Sequence, residues 1–144
     1  DIGLTTDVIV GFPGETEKEF EETCKFVKKI GFLKIHVFPY SKRKDTAAYY
    51  MKDQIPEIVK KQRSAKLRGI ADKMSIDFKK ALLGKTYEVL VENPRGKIHK
   101  GFTPNYIPVQ FLYTGKKAIV KERIEVTLKK IGKDGTVFGE ITKK

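Results

Sequence analysis

The sequence predicts an α/β segment followed by an all-β segment. Two short apolar runs in the first half are each followed by a helical pattern, which is the βα repeat of a parallel sheet. From Lys85 onward, apolar residues tend to recur at every second position, as in strands with one buried face. The length of 144 residues suits two small domains. We therefore predict one domain over residues 1–83 and a second over residues 84–144.

The first βα unit is a buried strand followed by a capped helix. Residues 7–10 form a short, β-branched run, as expected for a strand buried on both faces of a parallel sheet. Thr16 and Glu19 have the spacing of a capping box, which satisfies free amides at a helix start. The helix is predicted to run to about Ile30, and Gly31 can adopt the left-handed conformation that ends it.

A second strand is predicted over residues 34–38, followed by a polar stretch and a long helix over about residues 57–83. Two βα units form an open sheet with an unpaired edge, which is a poor independent domain. We therefore expect the chain to be an excised piece of a larger protein. The open edge is also expected to allow self-association with a second copy.

The second half is predicted to form a small antiparallel, OB-like β-barrel. Asn93-Pro94-Arg95-Gly96 and Asp134-Gly135 are turn signals between the predicted strands. The predicted strands cover residues 87–91, 98–102, 106–111, 118–128 and 136–141. Barrels of this type commonly hold nucleic acid on one face and its adjoining loops.

The charge balance favours a polyanionic partner. The net charge is +12; residues 85–144 contribute +7 (13 basic, 6 acidic), and residues 1–84 contribute +5 (17 basic, 12 acidic). A positive field of this kind attracts RNA or DNA, although a merely lysine-rich surface would look the same. No apolar run is long enough for a membrane span and no signal peptide is visible, so we expect a cytoplasmic protein without a membrane partner.

Two strand ends are candidate ligand-binding positions. Gly11-Phe12-Pro13-Gly14 and Phe38-Pro39-Tyr40-Ser41 each follow a predicted strand. Ligands of parallel α/β sheets bind at the carboxyl ends of strands, where glycines let the backbone approach them. For the first segment a tight turn that contacts nothing is an equally good explanation, and no Gly-Lys-Ser/Thr follows it that would indicate a phosphate-binding loop. For the second segment, taken alone, ordinary strand-capping chemistry is favoured.

Basic residues fall into two groups. On the long helix, Lys60, Lys61, Arg63, Lys66 and Arg68 are interpreted mainly as a solvated face. In the barrel, basic groups interleave with aromatic rings, as single-stranded RNA requires for phosphate pairing and base stacking. The alternative places these rings in the barrel core and the lysines in water. The predicted RNA-binding residues are Arg95, Lys97, Lys100, Phe102, Tyr106, Lys116 and Lys117.

No catalytic or metal site is predicted. Cys24, the single cysteine, lies on the apolar stripe of the first helix and reads as a small core residue. It excludes a disulfide or an all-cysteine metal site within the chain. His36 and His99 lack partner ligands at metal spacing, and we interpret both as structural or surface residues.

Three segments resemble a known family, the radical-SAM methylthiotransferases. Residues 6–16, with the acidic residues that follow, resemble the fifth barrel strand and its loop. Residues 38–43 with Thr46-Ala47 are similar to the sixth-strand signature, and Gln54, Val59-Lys60 and Arg63 match the next helix. Residues 85–141, including Gly101-Phe102-Thr103, resemble the TRAM domain. The resemblance implies the last two βα units of a radical-SAM (β/α) barrel followed by a TRAM barrel.

The resemblance also implies a function. Residues 36–41 are most similar to the branch that methylthiolates C2 of N6-threonylcarbamoyladenosine next to the anticodon of tRNA. The full-length enzyme would use S-adenosylmethionine and two 4Fe-4S clusters. The cysteines that hold the radical-SAM cluster are absent here, so we expect no bound cofactor and no activity from this chain alone. The positions that would contact S-adenosylmethionine are Ile9, Gly11, Phe38, Pro39 and Tyr40.

Three readings remain open at this point. The chain is part of an enzyme of this branch, a methylthiotransferase for isopentenyladenosine in tRNA or for a ribosomal protein, or a stand-alone RNA-binding module. One departure from the family pattern is Asp45, which stands where the family usually has glycine. The loop at Asp45 is therefore expected to be less kinked here.

Overall fold

A computed structural model describes residues 2–115 and 119–142, except the side chains of Asn93 and Arg95. Two compact units are present, Leu4–Ser75 and residues 76–144 with the first residues of the chain. The boundary between the two units lies between Ser75 and Ile76, inside the long helix. The sequence places the domain boundary at Gly84 instead, and that boundary stays a prediction. None of the described helices is long and apolar enough to cross a membrane.

The first unit contains two parallel strands and three helices. The elements in order are β1 Thr5–Val10, α1 Glu17–Ile30, β2 Lys34–Pro39, α2 Ala47–Tyr50 and α3 Glu57–Lys80. The four-residue helix α2 lies in the segment expected to be polar loop, and α3 ends three residues before the predicted Leu83.

Helix α1 begins and ends as its sequence predicts. The hydroxyl of Thr16 accepts a hydrogen bond from the Glu19 amide (3.2 Å), and the Glu19 carboxylate accepts one from the Thr16 amide (2.8 Å). These two bonds satisfy backbone donors that have no partner inside the helix. Gly31 adopts a left-handed conformation with φ of 76° at the other end. The capping box and the glycine stop are both confirmed.

One face of the β1–β2 sheet carries the core of this unit. Phe20, Cys24 and Val27 of α1 and Leu67 and Ala71 of α3 are buried in one cluster. The strand residues in the cluster are Val10, Ile35 and Val37. The opposite face is exposed among the described residues, so the expectation of a strand buried on both faces is wrong for β1. Its side chains alternate along the strand because only one face has helices packed on it.

The buried position of Cys24 leads to a chemical prediction. The thiol is 2% exposed, and burial raises the pKa of Cys24 above its ordinary value. Since the thiolate is the reactive form, the folded chain is expected to resist iodoacetamide at pH 8 and to react fully in 6 M guanidinium. Mass spectrometry of the two samples measures this. Complete labelling of the native chain within the time of the denatured control would contradict it.

The second unit is a closed five-stranded barrel. Its strands are β3 Thr86–Arg95, β4 Ile98–Phe102, β5 Pro108–Leu112, β6 Arg123–Ile131 and β7 Val137–Ile141, in the order β3-β4-β5-β7-β6. A small barrel is thus confirmed. The expectation that it is wholly antiparallel is wrong, because β5 and β7 pair in parallel. The chain passes through β6 before it returns beside β5, so the direction of β7 matches that of β5.

Inward-pointing residues of the strands fill the barrel. Val89, Val91, Val109, Val126 and Leu128 are each fully buried. His99 is also buried, with its ring 6.1 Å from that of Phe111 and 5.2 Å from that of Tyr113, centroid to centroid. The interpretation of His99 as structural agrees with this position.

Candidate functional sites at the strand ends and on the barrel

Ile9 and Phe38 form an exposed apolar pair near the ends of β1 and β2. They are direct neighbours in the parallel register and lie on the face of the sheet without packed helices. Their exposed fractions are 57% and 49%. The ring of His36 lies over that of Phe38, with 6.4 Å between centroids. The structure therefore brings together two of the five residues predicted to contact a cofactor.

Gly11 and Tyr40 lie beyond the strand ends and are buried. The Gly11 amide donates to the Glu15 carboxylate (2.6 Å), and the Tyr40 amide donates to the Val10 carbonyl (2.8 Å). The Tyr40 carbonyl accepts from Nζ of Lys60 at 3.1 Å. These three backbone groups therefore have partners within the chain and shape the strand ends, whereas the buried hydroxyl of Tyr40 has no hydrogen-bond partner among the described residues. Their predicted contact with a cofactor stays a prediction.

Lys60 is a buried cation, 4% exposed, directly behind the strand ends. Besides the Tyr40 carbonyl, its ammonium group contacts the Glu57 carboxylate. Its stem packs against Gly11, where a Cβ atom would lie 2.2 Å from Cγ of Lys60. The interpretation of this residue as part of a solvated helix face is wrong, because its stem is covered and its charge has fixed partners.

Arg63 is the second buried cation of α3, 6% exposed. Its guanidinium donates to the carbonyl (2.9 Å) and the carboxylate (2.7 Å) of Glu15, and to the Glu17 carboxylate at 3.1 Å. The solvated-face interpretation is therefore wrong here too. By contrast, Lys61, Lys66 and Arg68 are exposed, as expected. Arg63 thus ties the loop after β1 to α3.

A cleft of about 480 Å³ lies beside the end of β2. Pro39, the remaining predicted cofactor residue, is exposed and forms part of its wall. The helix contributes Glu57, Lys61, Ser64 and Arg68 among others. Sequence reasoning did not single out Ser64. Its spacing of three and four residues from Lys61 and Arg68 was the available signal.

Asp45 adopts the left-handed conformation, with φ of 64°. The expectation of a less kinked loop is therefore wrong at this position. Aspartate tolerates this conformation better than most residues, although glycine adopts it without a steric cost. The backbone keeps the conformation that glycine would favour.

Phe102 and Tyr106 lie on the outside of the barrel. Their exposed fractions are 36% and 81%, so the alternative that placed these rings in the core is wrong. Tyr106 follows β4 and has a φ of 61°, which is unusual for a bulky residue. Its amide donates to the Thr103 carbonyl (2.9 Å), and the Thr103 amide donates to the Ile107 carbonyl (3.1 Å). The loop therefore presents the tyrosine ring to solvent.

The structure describes the side chains of only some of the predicted RNA-binding cations. Lys97 is exposed, and Lys100 is half-buried on the same side of β4 as Phe102. Lys116 and Lys117 lie outside the described residues, and so does the side chain of Arg95. The structure thus places one cation and one ring of the predicted set on the same outer face.

A second cleft, of about 400 Å³, lies on the barrel beside Tyr106, and we call it the barrel cleft. Leu90 is paired with Phe102 on one side and Arg123 on the other, and all three line the cleft. Thr103, Glu88 and Glu92 line it as well. Sequence reasoning missed Glu88, Leu90, Glu92 and Arg123. The alternation of β3 places the first three on one face of the strand. Two of them are carboxylates, and RNA-binding residues were expected to be cations or rings.

Metal ligands do not cluster in the described part of the chain. Within it, no group of three or more histidine, cysteine, aspartate or glutamate side chains has the geometry to hold a metal ion. Cys24 is buried in the first unit and lies among apolar neighbours.

The chain is similar to curated enzymes that modify tRNA. A threonylcarbamoyladenosine tRNA methylthiotransferase of Chlamydia pneumoniae is 39% identical over 138 residues, covering 96% of this chain and 32% of that protein. A tRNA-2-methylthio-N(6)-dimethylallyladenosine synthase of Endomicrobium trichonymphae is 41% identical over 141 residues, covering 98% and 33%. A threonylcarbamoyladenosine tRNA methylthiotransferase of Bacillus subtilis is 37% identical over 136 residues, covering 91% and 30%.

No protein-family model matches the chain. The chain spans about a third of the length of the curated relatives named here. The identity extends over both compact units, since each alignment covers more than nine-tenths of the chain. On this evidence the chain belongs to the tRNA methylthiotransferase family.

Proposed function

We propose that this chain is part of an enzyme that methylthiolates an adenosine of tRNA by radical chemistry, with the barrel binding the tRNA. The identity of 37–41% to tRNA methylthiotransferases over almost the whole chain carries this proposal. The exposed rings and lysine on the barrel support the role in RNA binding. We further propose a cytoplasmic enzyme, where tRNA is available.

The proposed substrate is N6-threonylcarbamoyladenosine, modified at C2. It rests on the similarity of residues 36–41 to that branch of the family. The relatives include enzymes named for threonylcarbamoyladenosine and enzymes named for dimethylallyladenosine, so identity alone does not separate the two. Mass spectrometry of tRNA nucleosides is the test, after the complete gene is expressed in cells that lack both activities. Accumulation of the methylthiolated dimethylallyl nucleoside alone would overturn this assignment.

The proposed cofactor rim consists of Ile9, Gly11, Phe38, Pro39 and Tyr40. The adjacent side chains of Ile9 and Phe38 offer an apolar surface that fits the flat adenine of S-adenosylmethionine. When bound and reductively cleaved, that cofactor supplies a radical. The residues of this chain would position it, through the exposed pair and the fixed backbone behind it. One buried cysteine cannot bind a 4Fe-4S cluster, which takes several thiolates.

Binding of tRNA to the barrel predicts a salt dependence. Lys97→Ala and Lys100→Ala are each expected to weaken tRNA binding and to lower the slope of log affinity against log salt by about 1, because each loses one phosphate contact. Fluorescence anisotropy with labelled tRNA between 50 and 300 mM KCl measures the slope.

The matched control is Lys18→Ala, which removes an exposed lysine from α1 in the other unit. It is expected to leave the slope unchanged. Thermal melting of Lys97→Ala should stay close to that of the parent chain, since Lys97 is exposed. A flat salt plot for the unchanged chain would argue against phosphate contacts.

A further inference from the structure

The barrel cleft has an apolar floor between two rings and an ion pair. Leu90 is 42% exposed at the centre, next to Phe102 on β4. On its other side, Arg123 donates to the Glu88 carboxylate at 3.2 Å. The apolar floor and the flanking rings suit a flat aromatic group, because aromatic faces stack on rings and on guanidinium planes.

Tyr106 is held in an unfavourable conformation at the rim of this cleft. A bulky residue rarely adopts a positive φ, and such strain tends to occur at ligand-binding positions. The loop maintains the conformation through three hydrogen bonds to Thr103: its carbonyl accepts from the Tyr106 amide (2.9 Å), its amide donates to the Ile107 carbonyl (3.1 Å), and its hydroxyl accepts from the Ile107 amide (3.0 Å). As a result Tyr106 is 81% exposed, and its ring is accessible to a stacking partner.

The charges of the cleft select against phosphate. Glu88 and Glu92 both line it, and the charge of Arg123 is already paired with Glu88. A phosphate group would meet two carboxylates and no unpaired cation among these lining residues. A neutral base would meet hydrogen-bond acceptors instead. Lys100 does not line the cleft but lies on the same outer face of β4 as Phe102, where it can pair with an RNA phosphate.

We propose that the barrel cleft binds one unpaired base of RNA, stacked against Tyr106 and Phe102, with guanine preferred and uracil least favoured. This inference rests on the proposed function of the barrel in tRNA binding. Guanine presents two adjacent donors on its Watson–Crick edge, which suit a carboxylate acceptor such as Glu92. Uracil presents a single donor there, N3–H, flanked by two carbonyl oxygens that a carboxylate repels.

The first test separates stacking from folding. Tyr106→Asn is expected to weaken binding of the RNA pentamer UUGUU by the 144-residue chain by about tenfold, as loss of one stacked base predicts. Its melting temperature should stay equal or rise, because asparagine tolerates the left-handed conformation better than tyrosine. Tyr50→Asn is the control, since Tyr50 is 71% exposed in the other unit. It should leave affinity unchanged.

The second test concerns the identity of the base. The parent chain is expected to bind UUGUU roughly tenfold more tightly than UUUUU, as one charge-assisted hydrogen bond predicts. Glu92→Gln should reduce this ratio, because an amide can also donate to uracil. Fluorescence anisotropy at fixed salt measures both pentamers, which carry the same number of phosphates.

The outcomes distinguish the two levels of the proposal. The base site would be overturned if the parent chain bound both pentamers equally, or if Tyr106→Asn bound UUGUU as tightly as the parent chain. If tRNA binding still depended on salt in that case, the proposed function of the barrel would stand. Absence of any tRNA binding by the parent chain would overturn both. Loss of base preference in Glu92→Gln together with weaker binding by Tyr106→Asn would support the site.

Discussion

Arg63→Met is expected to lower the free energy of unfolding by about 3–5 kcal/mol, because it leaves a largely buried carboxylate without its cation. The side chains of Arg63 and Glu15 are 7% and 15% exposed, and their closest atoms are 2.7 Å apart. Methionine keeps much of the aliphatic volume of arginine, so lost packing contributes little. Urea unfolding followed by circular dichroism measures the change.

Lys66→Met is the matched control for this substitution. Lys66 lies on the same helix, and its ammonium is 5.6 Å from the Phe20 ring centroid, close to the 5.4 Å of Arg63. It pairs with Glu21, but the two side chains are 50% and 39% exposed, so the pair is screened by water. Its loss is expected to cost much less stability than the loss of Arg63. Equal effects of the two substitutions would contradict the role assigned to Arg63.

A double substitution tests the cause directly. Arg63→Met combined with Glu15→Gln removes both charges, and it is expected to be more stable than Arg63→Met alone. Glutamine still offers an oxygen to the Gly11 amide, which the carboxylate accepts from at 2.6 Å. A double variant no more stable than the single one would show that lost contacts, and not an unpaired charge, explain the effect.

Gly11→Ala is expected to lower the free energy of unfolding by about 2–5 kcal/mol, for two reasons that add. A left-handed conformation costs an L-residue about 1–2 kcal/mol, and φ at Gly11 is 71°. In addition, the new Cβ would overlap the stem of Lys60, and overpacking of this kind costs about 1–3 kcal/mol. Lys60 cannot move away freely, since its ammonium contacts the Tyr40 carbonyl and Glu57. Chemical unfolding again gives the value.

Gly14→Ala separates these two contributions. Gly14 also has a positive φ, 86°, but nothing lies within 4 Å of a Cβ built there. Only the conformational cost of about 1–2 kcal/mol is expected. If both alanine variants lose the same stability, the close packing of Lys60 on Gly11 does not limit the site.

Arg63→Met and Gly11→Ala are also relevant to the proposed cofactor rim. Arg63 and Lys60 fasten the backbone just beyond the strand ends, next to the exposed pair Ile9 and Phe38. Positioning of a bound group requires fixed neighbours, which these buried cations provide. Loss of either anchor is therefore expected to loosen the rim as well as the fold.

Local patterns were sufficient to predict most elements. The capping box of α1 uses two residues three positions apart, so the sequence contains all the information it needs. The change to a period of two at Lys85 likewise predicted a small barrel, because alternation follows from strand geometry. The parallel pairing of β5 with β7 was missed, since strand order depends on contacts between distant segments.

At the candidate sites, too, some features depend on contacts that the sequence alone does not reveal. Exposure of Tyr106 and the conformation of Asp45 depend on loop closure, which composition does not encode. Glu88 and Glu92 were overlooked because a search for basic residues near rings ignores acceptors. The barrel cleft exists only because β3, β4 and β6 bring Leu90, Phe102 and Arg123 side by side.

The sequence by itself determined the α/β and all-β halves, the capped helix and the family resemblance, because each depends on residues close together in the chain. Only the tertiary structure decided that Lys60 and Arg63 are buried and that the rings of Phe102 and Tyr106 are not. A charged residue is normally counted as surface from its type alone, since burial of an unpaired charge is costly. The partners that remove this cost, Glu15 and the Tyr40 carbonyl, are 48 and 20 positions away and meet the cations only in the folded chain.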